Sequence, residues 1–131
     1  WWLTASENPN TLFYAYTKSL PYWDSVINEM PILDNFILTA SYGGRADHMI
    51  SELGLRSTTV VYSEAEAEKL GLAIDHDDSH AARPSLRNQD FALLIHGTQP
   101  KGSEAATALK ALKGKGSYSR KNNKKGLKMI V

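Results

Sequence analysis

Asn35-Phe36-Ile37-Leu38-Thr39-Ala40, followed by Ser41-Tyr42-Gly43-Gly44 and then by Arg45 to Leu53 and Gly54, reads as one complete strand–loop–helix unit. The first six residues form a short, largely apolar run, as expected of a strand covered on both faces. The paired glycines punctuate its exit. The segment from Arg45 puts Met49, Ile50 and Leu53 on one helical face, and Gly54 suits the position after a helix end.

The same unit recurs on both sides. Upstream, residues 1–8 read as the end of a helix that Pro9-Asn10 breaks. Leu12-Phe13-Tyr14-Ala15-Tyr16 is a short aromatic strand with the polar end Thr17-Lys18-Ser19. Pro21 suits the first turn of a helix running to about Glu29, and Pro31 lies beyond it. Downstream, Thr58-Thr59-Val60-Val61-Tyr62 is a β-branched strand. Ser63 and Glu66 then have the spacing of a capping box, for a helix ending near Leu70-Gly71. Residues 72–90 read as polar and irregular apart from Leu72 and Ile74. Phe91-Ala92-Leu93-Leu94-Ile95-His96 is a fourth strand, Gly97 to Gly102 its exit loop, and Ser103-Glu104 opens an Ala-rich helix to about Lys113.

Strands that alternate with helices, run continuously apolar and lack hairpin turns define an α/β protein of repeated strand–helix units. Its sheet is mainly parallel, with about four strands. An open sheet and a half-barrel segment both satisfy this pattern.

The 131 residues, 42% hydrophobic and 22% charged, suffice for one α/β domain over 1–113 followed by a basic, partly disordered tail over 114–131. The net charge of +1 conceals a split, since residues 1–100 carry a balance of −7 and residues 101–131 one of +8. No apolar run approaches the roughly 20 residues of a membrane helix, and no basic, apolar leader opens the chain. A cytoplasmic location and no membrane partner are therefore expected. Cysteine is absent, so no disulfide, thiolate metal site or cysteine nucleophile is available. The opening Trp1-Trp2, without an initiating methionine, reads as part of a longer product. Leu127 to Val131 reads as a short final strand.

Parallel α/β folds bind ligands beyond the carboxyl ends of their strands. The exits here are Thr17-Lys18-Ser19, Ser41-Tyr42-Gly43-Gly44, Ser63-Glu64 and His96-Gly97-Thr98-Gln99, all polar and all expected on one face. Lys18 is a candidate for neutralising an anion or, if desolvated, acting as a base; a solvated turn lysine is the plainer reading. Gly43-Gly44 suits close backbone approach to a phosphate, or simply a turn with φ > 0. Asp47-His48 lies in the first helical turn, where the helix dipole alone favours an acid. Asp75-His76-Asp77-Asp78-Ser79-His80 is the densest ionisable cluster, in which His76, Asp78 and His80 suit a divalent ion only if a helix carries them; a polar loop bonded to its own backbone is the alternative. His96 closes an apolar strand and is a candidate acid–base group or a buried, hydrogen-bonded imidazole. In the tail, Lys115, Arg120, Lys121, Lys124 and Lys125 suit phosphate contacts with nucleic acid, although solvated tails are commonly basic.

Phe13 to Lys18, Asn35 to Gly44 and Asp47-His48-Met49-Ile50 together resemble a phage-encoded family known by a gene-product number, eighty-eight. The resemblance runs from about Trp2 to Lys101 and on toward Arg120. It implies a βα-repeat architecture of which this chain is the C-terminal half. The family's cysteine-bearing N-terminal half, similar to radical-SAM-type barrels, would precede it. The cysteines are missing here, so the resemblance implies a TIM-like or radical-SAM-like half-barrel rather than a reaction, and no cofactor is named.

Three readings follow. One is an enzyme-derived domain with Lys18, His48 and His96 as catalytic groups, and Thr17, Ser19, Ser41, Tyr42, Gly43, Gly44, Thr98 and Gln99 as ligand contacts. Another is a nucleic-acid-binding accessory protein acting through the tail, and the third is a structural role. Open edges on a half-barrel also predict a homo-oligomer that buries the face near Trp1, Trp2 and the first strand.

Overall fold

The structure, a computed structural model, describes residues 1–113. The elements run α1 (Trp2–Glu7), β1 (Phe13–Thr17), α2 (Leu20–Glu29), β2 (Phe36–Ser41), α3 (His48–Glu52), β3 (Ser57–Val61), α4 (Glu64–Leu70), α5 (Ser79–Ala82), a 3-10 turn (Pro84–Leu86), β4 (Phe91–Leu94) and α6 (Glu104–Ala111). The four strands form one parallel sheet in the order β1-β2-β3-β4, not closed into a barrel. The predicted strands are present, each displaced by a residue or two at its ends. The final strand expected at Leu127 to Val131 lies outside the described residues, as does the tail.

By contacts the described residues form two compact units, Trp1–Thr59 with Asp78–Asp90, and Val60–Asp77 with residues 91–113. In the first, β1 and β2 pair residue for residue from Phe13↔Phe36 to Thr17↔Ala40, so their exits are level. On one sheet face α2 and α3 cover the strands, with Leu20, Ala40 and Ile50 buried against Trp23, Met49 and Leu55. The opposite face of β1 and β2 carries Tyr14, Tyr16 and Thr39, as the side-chain alternation of a strand requires. There α5 packs against both strands.

The contact between α5 and the sheet is polar. Asp78, whose φ is +61°, accepts hydrogen bonds from the hydroxyls of Tyr14 (3.3 Å) and Tyr16 (3.0 Å). Arg56, 8% exposed, donates from Nη1 to the carbonyl oxygens of His80 (2.7 Å) and Leu86 (3.4 Å), and from Nη2 to Ala81 O (3.4 Å) and Thr39 Oγ1. One guanidinium thus joins residues 80–86 to β2. The sequence had suggested irregular backbone over 72–90; α5 and the 3-10 turn each last about one turn, too short for an apolar period to show.

In the second unit, Val61, Ala67, Ala92 and Leu94 form a buried cluster flanked by Leu72, Ile74 and Leu112. Ile74 bridges Ala92, and every residue of β4 is buried. The expected cap of α4 is present: Ser63 Oγ accepts from Glu66 N at 3.2 Å, and Glu66 Oε2 accepts from Tyr62 N at 2.7 Å. Gly71 closes the helix at φ +69°, a left-handed conformation that favours glycine. Ser103 caps α6 likewise, accepting from Ala106 N at 3.1 Å. No helix among the described residues is long and apolar enough to cross a membrane.

Candidate functional site at the exits of β1 and β2

Because Thr17 and Ala40 are register partners, the residues after them leave the sheet side by side. Lys18 reaches across this gap, and its Nζ donates to the Tyr42 carbonyl oxygen. The loop passes close to Lys18 at two positions. A Cβ on Gly43 would lie 2.9 Å from Lys18 Nζ, and one on Gly44 would lie 3.2 Å from Lys18 Cβ. Gly43 also sits at φ +95°. The paired glycines therefore satisfy both a turn requirement and a close approach.

Asp47 locks the loop. Its Oδ2 accepts from Gly43 N and its Oδ1 from Gly44 N, both at 2.9 Å. Those two backbone hydrogen bonds, with smaller help from Lys18 and His48, hold its carboxyl below the ordinary 3.8. A depressed folded pKa stabilises the loop above the unfolded value, and that contribution is lost as pH falls through the folded one. In an NMR pH titration, the Gly43 and Gly44 amide resonances are expected to move together with a midpoint below 3.8, and the Asp47→Asn variant to lack that step. A midpoint at or above 3.8 would contradict the arrangement.

The structure thus gathers Lys18, Tyr42, Gly43, Gly44, Asp47 and the start of α3 at His48. Sequence reading placed Asp47 in a helical turn but missed that its two oxygens take the loop amides; an Asp three residues after Gly44 was the available signal. Ser41 is half-buried, with Thr58 as its register partner. Thr17 Oγ1 accepts from Ser19 N at 3.0 Å, so these two hydroxyl residues shape the β1 exit.

The exits of β3 and β4 belong to the second unit. β3 overlaps β2 only through Ala40↔Ser57 and Ser41↔Thr58, so β3 begins where β2 ends. At the exit of β4, His96 is exposed, as is Thr98, and Gln99 Nε2 donates to the His96 carbonyl oxygen at 2.8 Å.

His76 precedes α5 and His80 lies within it, so the two do not share a helical face through an i, i+4 pair. Asp78 is engaged by two tyrosines. Among the described residues no three His, Cys, Asp or Glu side chains are gathered to hold a metal ion. The nucleic-acid candidates Lys115, Arg120, Lys121, Lys124 and Lys125 lie outside the described residues. The surface near Trp1 and Trp2, where a second copy was expected, is apolar: Trp1, Tyr22 and Ile32 are 86%, 78% and 80% exposed. Two clefts of about 410 and 250 Å³ open beside them, walled by Trp2, Trp23, Met30 and Leu38.

The class this defines is an α/β protein with a parallel sheet and a polar loop cluster at the exits of two adjacent strands. The gene product 88 family model matches residues 1–114, and the chain belongs to that family. No curated protein and no solved structure matches it.

Proposed function

We propose that the exits of β1 and β2 form a ligand face for a small anion-bearing molecule, with Lys18 as its cationic contact. The observation that carries this reading is the placement of Lys18. Its ammonium has three donors and gives one to Tyr42 O, which leaves two for a ligand. The loop beneath it is already fixed by Asp47, so little ordering is needed on binding. Tyr42, 38% exposed, and exposed His48 stand on the rim. The Asp47 charge offsets part of the Lys18 field, and affinity for a free anion is accordingly modest, on the order of 1 mM.

The finer architecture we infer is a TIM-like half-barrel, supported by the stagger of β3 against β2, since closing barrels accumulate such shear. With no cysteine anywhere in the chain, its residues do not fit a thiolate-held iron–sulfur cluster, and no step is derived through one. Titration of the ¹⁵N-labelled chain with inorganic phosphate tests the ligand face. Lys18→Ala is expected to weaken binding roughly 10-fold or more, the value of one hydrogen bond to a charged group.

A further inference from the structure

Beside the Tyr42 side chain, a separate open cleft of about 420 Å³ lies between the turn entering β3 and residues 88–90. Its walls combine the apolar Ile50 and Leu55 with polar groups that the fold leaves unspent. Ser57 is only 6% exposed, yet among the described residues its hydroxyl has no hydrogen-bond partner. The same holds for the Tyr42 hydroxyl and the Asn88 amide. Asp90 uses Oδ1 to accept from Ser57 N at 2.7 Å, which orients the carboxylate and leaves Oδ2 open. Arg56 also lines the cleft, but its guanidinium is engaged with main-chain oxygens and Thr39.

The lining carries one carboxylate, Asp90, and one guanidinium, Arg56, together with neutral donors and acceptors and an aromatic ring. An anion would meet the Asp90 carboxylate and a guanidinium already bonded to main-chain oxygens and Thr39. A cation would find one exposed carboxylate and no second. A polyol matches the set: vicinal hydroxyls donate to Asp90 Oδ2 and the Asn88 carbonyl and accept from Ser57, Tyr42 and the Asn88 amide, while the carbon face of the ligand rests on the ring. A concave site with a few convergent polar groups on an apolar wall is the usual form of a small-molecule pocket.

We infer that this cleft binds a vicinal diol, as carried by a free saccharide or by the ribose of a nucleoside. The inference does not rest on the Lys18 ligand face, with which it shares only Tyr42. The test is a ¹⁵N NMR titration of the full chain with adenosine, 2′-deoxyadenosine, glucose, galactose and ethanolamine. Saturable shifts at Ser57, Asn88 and Asp90 are expected with a diol. Adenosine alone would identify the nucleoside source, a hexose the saccharide. Asn88→Ala, at an exposed position, is expected to keep the fold and weaken binding roughly fivefold. The inference is overturned if no diol gives saturable shifts, if 2′-deoxyadenosine or ethanolamine binds as well as every diol, or if Asn88→Ala leaves the affinity unchanged.

Discussion

Replacing Arg56 by Ala is expected to cost about 2–4 kcal/mol of folding stability, since several buried acceptors lose their donor at once. The guanidinium is buried and donates to three main-chain carbonyl oxygens and to Thr39. Without it, those acceptors lose their donor inside the protein, where water replaces it poorly. The loss extends beyond Arg56, because α5, which carries the His80 and Ala81 carbonyls, is positioned with Asp78 against Tyr14 and Tyr16. Contacts in one network couple, so Arg56→Ala combined with Tyr16→Phe is expected to cost less than the two single losses added. Lysine is a poor substitute, since one ammonium lacks the planar fork that reaches several oxygens. Urea denaturation followed by circular dichroism measures the effect, and a loss below about 1 kcal/mol would mean that Arg56 does not staple residues 80–86 to the sheet.

Leu94→Ala is expected to cost about 2–5 kcal/mol, and to do so through packing alone. Leu94 is 1% exposed and lies among Val61, Ala67 and Ala92, with Leu72, Ile74 and Leu112 around them. Two of its buried neighbours are already alanines, so little side-chain volume is at hand to fill the void. The cost should fall in the upper part of that range, and Leu94→Met should recover much of it because the volume is conserved. Denaturation of the three proteins side by side decides this. Equal stability of the Ala variant and the parent would remove Leu94 from the core.

The contrast between these two residues shows what the sequence carried. Phe91 to Leu94 announces a strand because all four residues are apolar and buried, and the local pattern and the tertiary environment agree. The caps at Ser63 and Ser103 were equally readable, since each is settled within four residues by one hydroxyl and one amide. Arg56 gave no such signal. It is a lone cation before a β-branched run, and its partners lie 17 to 30 residues away. Tyr14, Tyr16 and Thr39 were read as strand residues without any hint that a single helical turn would cover them.

The site divides in the same way. Lys18 and the loop from Tyr42 to Gly44 were legible because both follow strands, and the level pairing of β1 with β2 brings them together. The two-residue overlap of β3 with β2 was not legible, because pairing register is not written in the composition of a strand. Asp47 was read as an acid favoured by the helix dipole, and its further task as anchor of the Gly43 and Gly44 amides was not seen.

We propose that Lys18 and the Tyr42-Gly43-Gly44 loop receive an anionic ligand. Amide chemical-shift mapping of the full chain with inorganic phosphate tests it most directly. The account predicts saturable shifts centred on Lys18, Tyr42, Gly43, Gly44 and His48 that Lys18→Ala abolishes or weakens roughly 10-fold. Shifts that are absent at concentrations well above the millimolar range, or that persist unchanged in Lys18→Ala, would contradict it.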